Sequence, residues 1–577
     1  MKIKGSAIIC ESLLREGVEV IFGHPGGAIL PFYDALWGYP QLRHILVRHE
    51  QAAAHAADGY ARVTGKVGVC VATSGPGATN LVTGIMAAKA DSVPMVAITG
   101  QVARPSLGSE AFQECDTCAI VSPCTKATFM VMTARDLPGV MREAFQVARE
   151  GRPGPVLVDV PRDVQLEEAE VEFPEASKTE IPPLSDETLE GIQQAARLIN
   201  DAERPVIISG HGIIASGASA EVQALAETTG IPVITTLLGL SGFPGNHPLN
   251  LGMLGMHGMY WANMAVDQAD VIVGLAMRFD DRVTGKASTF APHARIIHLD
   301  IEASQVGRNV PVEVPLVGDA KTVLQALLPL VKGKERPDWV GHIEGMKRDH
   351  PSLAIPSSDK LQAQHVLRDL NELIQENPET VVVTGVGQHQ MWAAQFLFFD
   401  RCNSFVSSGG LGTMGYELPA AMGVQAGRPG APVWSIAGDG GFQMTLQELA
   451  TVTEEKLPVK IAVFNNGYLG MVRQWQEMFF QNHLKAVPIP GPDYVKLAQA
   501  YGIEALRVED REDVMPALRR AQDHDGPFLI EFVVDSTTNL YPMVPPGMSY
   551  QDIVTGDFIP NRYGDRESAA PDESKMF

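Results

Sequence analysis

The 577-residue chain is 45% hydrophobic and 20% charged, and its 68 acidic residues outnumber 45 lysines and arginines, a net charge of -23. That surplus argues against a phosphate backbone or an anionic membrane as partner and favours an enzyme of small molecules. The length predicts several domains, about two to four α/β units with substantial cores. No apolar run approaches the ~20 residues of a membrane span. Six cysteines in so long a chain make no disulfide framework, so the expected location is the cytoplasm.

In chain order, "MKIKGSAIICESLLREG" reads as an amphipathic helix. Up to about residue 165, the strands "VGVCVATS", "PMVAITG" and "GPVLVDVP" alternate with helical stretches, the βαβ rhythm of a parallel sheet. Within this unit, "ILVRHEQAAAHAADGYARVTG" places Glu50 after an apolar run and ahead of a small-residue helix. A carboxylate in an Ala-rich setting is poorly hydrated and can share a proton with a partner; it can equally be an ordinary opening of a helix. Cys115, Cys118 and Cys124 lack a second pair and a nearby His, so they read as small buried residues or bystanders rather than a zinc site.

The stretch "LEEAEVEFPEASKTEIPPLSDET" is acidic and reads as an exposed linker. A second unit, 190–332, holds the strands "RPVIISG", "IPVITT", "ADVIVGLAM" and "ARIIHLDI". Its "SGHG" (Gly210, Gly212) lacks the third glycine of a dinucleotide fingerprint and reads as a plain βα turn. The connector "GKERPDWVGHIEGMKRDHPSLAIPSSDK" is polar and punctuated by prolines. A third unit, 365–545, holds "TVVVTGVG", "APVWSIAGDG", "VKIAVFNN" and "PFLIEFVV". The tail, 546–577, is rich in Pro, Gly and acids and reads as disordered or as a lid.

The strongest chemical signal is "SIAGDGGFQMTLQELATVTEEKLPVKIAVFNN": strand, Gly-rich turn, helix, and a strand ending in asparagines. Asp439 and Asn466 then project at the carboxyl edge of a parallel sheet, where ligands bind. Gly438, Gly440 and Gly441 permit close backbone approach, and the helix start faces an anion. A carboxylate and an amide oxygen are hard ligands suited to Mg²⁺ shared with a diphosphate. Taken alone, a GDG turn and a capping Asn would read the same way.

"GDGGF…NN" resembles the thiamin diphosphate binding motif. "FGHPGGAILPFYDAL", "HEQAAAHAADGYAR", "SGPGATNLVTGIMAAKADSVPMVAITGQV" and "FQECD" resemble the pyrimidine-binding domain of the acetolactate synthase (acetohydroxyacid synthase) catalytic-subunit family. "GMLGMHG", "RFDDRVTG", "GQHQMWAAQ", "SGGLGTMGYELPAAMG" and "NNGYLGMVRQWQ" continue the likeness over nearly the whole chain. The resemblance implies an α/β fold of three doubly wound parallel-sheet domains, of the pyruvate oxidase/decarboxylase-like architecture. These are pyrimidine-binding (1–165), FAD-associated (190–332) and diphosphate- and Mg-binding (365–545).

The same resemblance assigns residues. Glu50 would hydrogen-bond a ring nitrogen of the aminopyrimidine, with Pro25, Gly27, Pro76 and Asn80 around that ring. Gly387, Gln388, His389, Gly438, Gly440, Gly470 and Met471 would contact the cofactor. Met414 would support it between its rings. Asp439, Asn466 and the carbonyl of Tyr468 would hold Mg²⁺. Arg152, Gly210, Gly212, Gly255, Met256, His257, Gly258, Arg278, Asp300 and Asp319 match FAD-binding stretches, a flavin not needed for net redox chemistry. Gln113 and Phe112 would wall the active site, Arg282 would grip the carboxylate of a 2-keto acid, and Met471 and Trp475 would select it.

The implied reaction decarboxylates pyruvate and condenses the product with pyruvate or 2-oxobutanoate, for branched-chain amino acid synthesis. The implied assembly is a homodimer or tetramer, with a small regulatory subunit as a further partner. Another thiamin diphosphate enzyme, a pyruvate oxidase or 2-keto acid decarboxylase, is the alternative. From a different class, a non-catalytic nucleotide-binding regulatory module is another.

Overall fold

Short runs of Val and Ile between Gly-rich turns form strands because β-branched side chains fill a pleated surface covered on both faces. The computed structural model describes residues 2–175 and 181–556. Within them, the first unit contains β1 (Lys2–Lys4), β2 (Val20–Gly23), β3 (Arg43–Leu46), β4 (Gly68–Ala72), β5 (Met95–Gln101), β6 (Ala127–Met130), β7 (Pro155–Pro161) and β8 (Glu168–Glu170). Strands β2 to β7 make a parallel sheet in the order β3-β2-β4-β5-β7-β6.

The second unit contains β9 (Pro205–Ser209), β10 (Val233–Thr235), β11 (Asn250–Met253), β12 (Val271–Leu275), β13 (Arg295–Asp300) and β14 (Val314–Val317), ordered β11-β10-β9-β12-β13-β14. The third contains β15 (Val381–Thr384), β16 (Phe405–Ser407), β17 (Val433–Gly438), β18 (Lys460–Asn465), β19 (Glu504–Val508) and β20 (Phe528–Val533), ordered β16-β15-β17-β18-β20-β19. All pairings in both sheets are parallel.

These orders place the sites. The first and third sheets wind alike: the chain lays its second strand outside the first, then crosses to the other side. The direction reverses between β2 and β4, and between β15 and β17. The middle sheet has the dinucleotide-binding order 3-2-1-4-5-6 and reverses between β9 and β12. A doubly wound sheet opens a crevice at such a reversal, beyond the carboxyl ends of the strands.

The first and third units share one core, in which the helix Glu50–Thr64 lies on the helix Glu417–Gly427. Small residues allow their backbones to touch. A Cβ on Gly59 would stand 2.2 Å from the Ala420 carbonyl oxygen, and one on Gly423 1.8 Å from that of Ala56.

Four expectations change. The opening amphipathic helix is present as Gly5–Arg15, but strand β1 precedes it. The acidic linker is not simply exposed: β8 pairs antiparallel with β1, burying Ala169, and Val171 is buried behind it. Residues 176–180 lie outside the described residues. The second connector folds as a helix, Pro337–Asp349, because Trp339, Ile343 and Met346 fall on one face and enter the middle core. The start of the tail is packed, with Lys286 N–H donating to Met548 O at 2.9 Å and the Tyr550 hydroxyl donating to Val283 O. The rest of it, 557–577, lies outside the described residues. No helix among the described residues is long and apolar enough to cross a membrane.

Candidate active site

At the reversal of the third sheet, Gly387, Gln388 and His389 follow β15, Asp439 follows β17, and Asn466 follows β18. Asp439 is 2% exposed and opens the helix Asp439–Thr445. Burial pushes its carboxyl up to about 7, a cost that a bound cation would offset. Its Oδ2 accepts from Gly467 N–H at 3.0 Å, and Asn466 Oδ1 accepts from Tyr468 N–H at 2.9 Å. The Gly438 N–H donates to His389 Nε2 at 3.2 Å, which fixes the tautomer, and burial lowers that imidazole to about 4, so it is neutral.

At Gly470 a Cβ would lie 2.2 Å from Gln388 Oε1, so a side chain there would displace that amide. Gln388 donates through Nε2 to Gln474 Oε1 at 2.8 Å, while its buried Oε1 has no hydrogen-bond partner. An orphaned acceptor lining the same cleft as the Asp439 carboxylate and the Asn466 amide suits a hydrated cation or its ligand water. The donor set thus fits Mg²⁺ and a diphosphate.

This cleft, about 60 Å³, meets a cavity of about 1840 Å³ at Gly387, Met414 and Met471. The helix Gly470–Phe479 puts Met471 and Trp475, one turn apart, on the cavity wall. Arg282 lines the same cavity. Its guanidinium is half exposed, 3.6 Å from Asp281 Oδ2 and 3.8 Å from Met256 Sδ. A contact that long to an exposed acid leaves the fork free for a ligand.

The cavity continues over the reversal of the middle sheet, where Arg152, Gly212, Met256, His257, Arg278, Asp300 and Asp319 line it. Asp300 is pushed up by burial, and Arg152 is lowered by burial and by Arg278 beside it. Gly210, Gly255 and Gly258 do not line it. They let loops pack, as a Cβ on Gly210 would meet Ala276 O at 2.2 Å and one on Gly255 would meet Arg282 O at 2.4 Å. "SGHG" is indeed a βα turn. Strand order and cavity size fit a flavin dinucleotide. Ser92 and His211 also line this wall and carry no sequence signal of their own.

The pyrimidine-side residues stand apart. Glu50 is buried at the first turn of its helix, where Asn80 Nδ2 donates to Oε2 at 2.9 Å. The Glu448 carboxylate of the third unit accepts from the Arg48 and His49 N–H groups at 3.0–3.1 Å and fixes the approach. Pro25 and Gly27, after β2, and Pro76 are exposed. Gln113 has φ 61° and backs onto Gly75, in a loop wrapped around Glu114, whose carboxylate accepts from the Ala111 N–H at 2.9 Å and from the Gly108 N–H. Phe112 is 88% exposed. Glu50, Phe112 and Gln113 line neither the cleft nor the cavity. The chain therefore does not by itself bring them to Asp439, Arg282 and Trp475. Cys115, Cys118 and Cys124 are free and half-buried rather than fully buried, and among the described residues no cluster of three or more His, Cys, Asp and Glu side chains is placed to hold a metal.

Two separated half-sites, each at the reversal of a doubly wound sheet and joined by a dinucleotide-type middle domain, define a thiamin diphosphate enzyme. Family models agree: the thiamine pyrophosphate enzyme N-terminal TPP binding domain matches residues 3–120, the central domain 192–327, and the C-terminal TPP binding domain 385–532. The chain is 47% identical to the acetolactate synthase large subunit of Corynebacterium glutamicum, covering 100% of this chain and 94% of that one. It is 47% identical to a probable acetolactate synthase large subunit of Methanocaldococcus jannaschii (96% and 95%) and 44% identical to the acetolactate synthase large subunit of Porphyra purpurea (95% and 95%). The chain belongs to the acetolactate synthase large-subunit family.

Proposed function

We propose that the chain decarboxylates pyruvate and joins the carbon unit that remains to a second 2-keto acid. With pyruvate or 2-oxobutanoate as acceptor, the product is 2-acetolactate or 2-aceto-2-hydroxybutanoate, in the cytoplasmic synthesis of valine, leucine and isoleucine. The observation that carries this reading is the single cavity into which Arg282, Trp475, Met471 and Met414 all face.

Thiamin diphosphate, when bound, supplies the carbon nucleophile and electron sink that decarboxylation needs. Asp439, Asn466 and the Tyr468 carbonyl hold Mg²⁺, and Gly387, Gln388, His389, Gly438, Gly440 and Gly470 flank the diphosphate. Glu50 holds the proton at the aminopyrimidine ring nitrogen, with Asn80 anchoring one of its oxygens, and Pro25, Gly27 and Pro76 border the ring. Arg282 grips the acceptor carboxylate bidentately. Trp475 and Met471 wall its alkyl end. Gln113 and Phe112 close the site and exclude water, so that the carbon unit meets the acceptor rather than a proton. FAD occupies the middle-domain wall lined by Arg152, Arg278, Asp300 and Asp319, and takes no part in the net reaction.

Because Glu50, Phe112 and Gln113 reach neither cavity, a second copy completes each site, and a homodimer is the smallest active form. Exposed apolar side chains support this, with Leu30 and Phe112 beside one half-site and Leu411, Met444 and Val472 beside the other. The relatives' large-subunit names point to a small regulatory subunit as a further partner. Product analysis after incubation with pyruvate, thiamin diphosphate, Mg²⁺ and FAD, with and without 2-oxobutanoate, tests the reading. Acetolactate and the mixed product are expected. Acetaldehyde or oxygen uptake would instead identify a decarboxylase or an oxidase, and no turnover would identify a non-catalytic module.

A further inference from the structure

The loop 408–416 that carries Met414 is anchored within its own unit near each end, where Gln390 Nε2 donates to Ser408 O at 3.2 Å and Thr445 Oγ1 donates to Gly415 O at 3.0 Å. It contains Gly409, Gly410, Gly412 and Gly415, its middle is exposed, and the Thr413 N–H donates within it to Ser408 Oγ at 3.1 Å. The same two ends are also gripped, across the unit boundary, by carboxylates of the first unit. The Gly409 and Gly410 N–H groups donate to Asp91 Oδ2 and Oδ1 at 3.1 and 2.6 Å. At the other end the Tyr416 hydroxyl donates to Asp58 Oδ1 at 2.5 Å. Arg62 lies between the acids, donating from Nε to Asp58 Oδ1 at 2.6 Å and from Nη2 to Asp91 Oδ2 at 2.7 Å. The side chains of both acids are 0% exposed and that of Arg62 5%. Burying three charges is costly, and the best-attested return on that cost is a fixed geometry.

We propose that Asp58, Arg62 and Asp91 are positioning residues for Met414. They clamp both ends of the loop and so set where its side chain enters the cleft. Asp58 and Arg62 stand on the helix that begins at Glu50, so the clamp also ties the loop to the element carrying the acid of the other half-site. The inference rests on the reading of Met414 as a wall for the bound cofactor.

The methyl resonance of Met414 tests it, in the full chain labelled with [ε-¹³C]methionine and assigned with Met414→Leu. Tyr416→Phe removes one grip and keeps the ring. Gly410→Ala leaves every charge in place but drives a Cβ to 2.7 Å from Asp91 Oδ1. Both variants are expected to shift or broaden the Met414 signal in cofactor-free protein. Both should also raise the half-saturating thiamin diphosphate concentration about tenfold, the scale of one lost buried hydrogen bond. Arg43→Gln, which removes the exposed pair with Glu455 across the same two units, should move neither. A Met414 signal that answers the cofactor but is unchanged in both variants overturns the clamp. A signal that ignores bound cofactor in the unaltered protein overturns the cofactor-wall reading beneath it.

Discussion

Trp475 stands with Met471 on one face of a helix, a pattern more typical of core than of a substrate wall, yet both line the cavity that Arg282 enters. Against that wall the extra methyl of 2-oxobutanoate would be buried, worth roughly 1 kcal/mol or about a fivefold preference. Trp475→Leu should therefore lose preference for 2-oxobutanoate while keeping pyruvate decarboxylation, as read from the product ratio in competition assays. Glu417 is a second residue with a definite consequence. It is fully buried, neither carboxylate oxygen has a hydrogen-bond partner, and burial pushes it up to about 7. The folded state then holds a proton that the unfolded chain releases near pH 4.5, so this group's contribution falls as pH rises from there through about 7. Glu417→Gln cannot ionise. It should melt above the unaltered protein at pH 8 and within error of it at pH 5.

At the scale of elements, the contact between the helices Glu50–Thr64 and Glu417–Gly427 depends on glycines that no hydrophobic pattern singles out. At Gly423 the obstacle to a side chain is a backbone carbonyl, which cannot swing aside. Gly423→Ala should thus cost roughly 1–3 kcal/mol despite alanine's better helix propensity. A lowered apparent melting temperature checks this, with Gly430→Ala, where a Cβ meets nothing within 4 Å, as the neutral control. The long apolar strands β4, β5, β7, β9, β12, β13, β15, β17, β18 and β20 are legible in sequence because they are buried on both faces. Strands such as β3, β6, β14 and β19 are not, because they lie at sheet edges and alternate or half-expose their residues.

At the scale of the molecule, the separation of Glu50 from Asp439 predicts complementation between chains. Glu50→Gln alone should slow turnover by about 10² to 10⁴, the usual cost of a lost proton-transfer group, while Asp439→Ala should lose Mg-dependent cofactor binding. Under subunit exchange, mixing the two inactive proteins should restore part of the activity, since one site of each mixed dimer would contain neither substitution. Absence of recovery, with exchange demonstrated by differently tagged chains, would place both residues in a site made by one chain.

The three α/β units were legible in the sequence, as was the cofactor class through the motifs that carry the resemblance, and the same motifs named the candidate residues of each half-site. Those signals are local: an apolar run, a Gly-rich turn after a strand, a short motif such as "GDGGF" or "RFDDRVTG". Which pieces meet depends instead on the folded chain. Asp91 reaches Gly410 across 319 positions and Glu448 reaches Arg48 across 400, pairings that leave no periodicity to read. It also decided that Trp339 and its neighbours are core rather than connector, and that Arg282 and Trp475 share a cavity while Phe112 stands in solvent. Burial and long-range contact belong to the packed chain, and a linear pattern carries only the part of them that lies within one element.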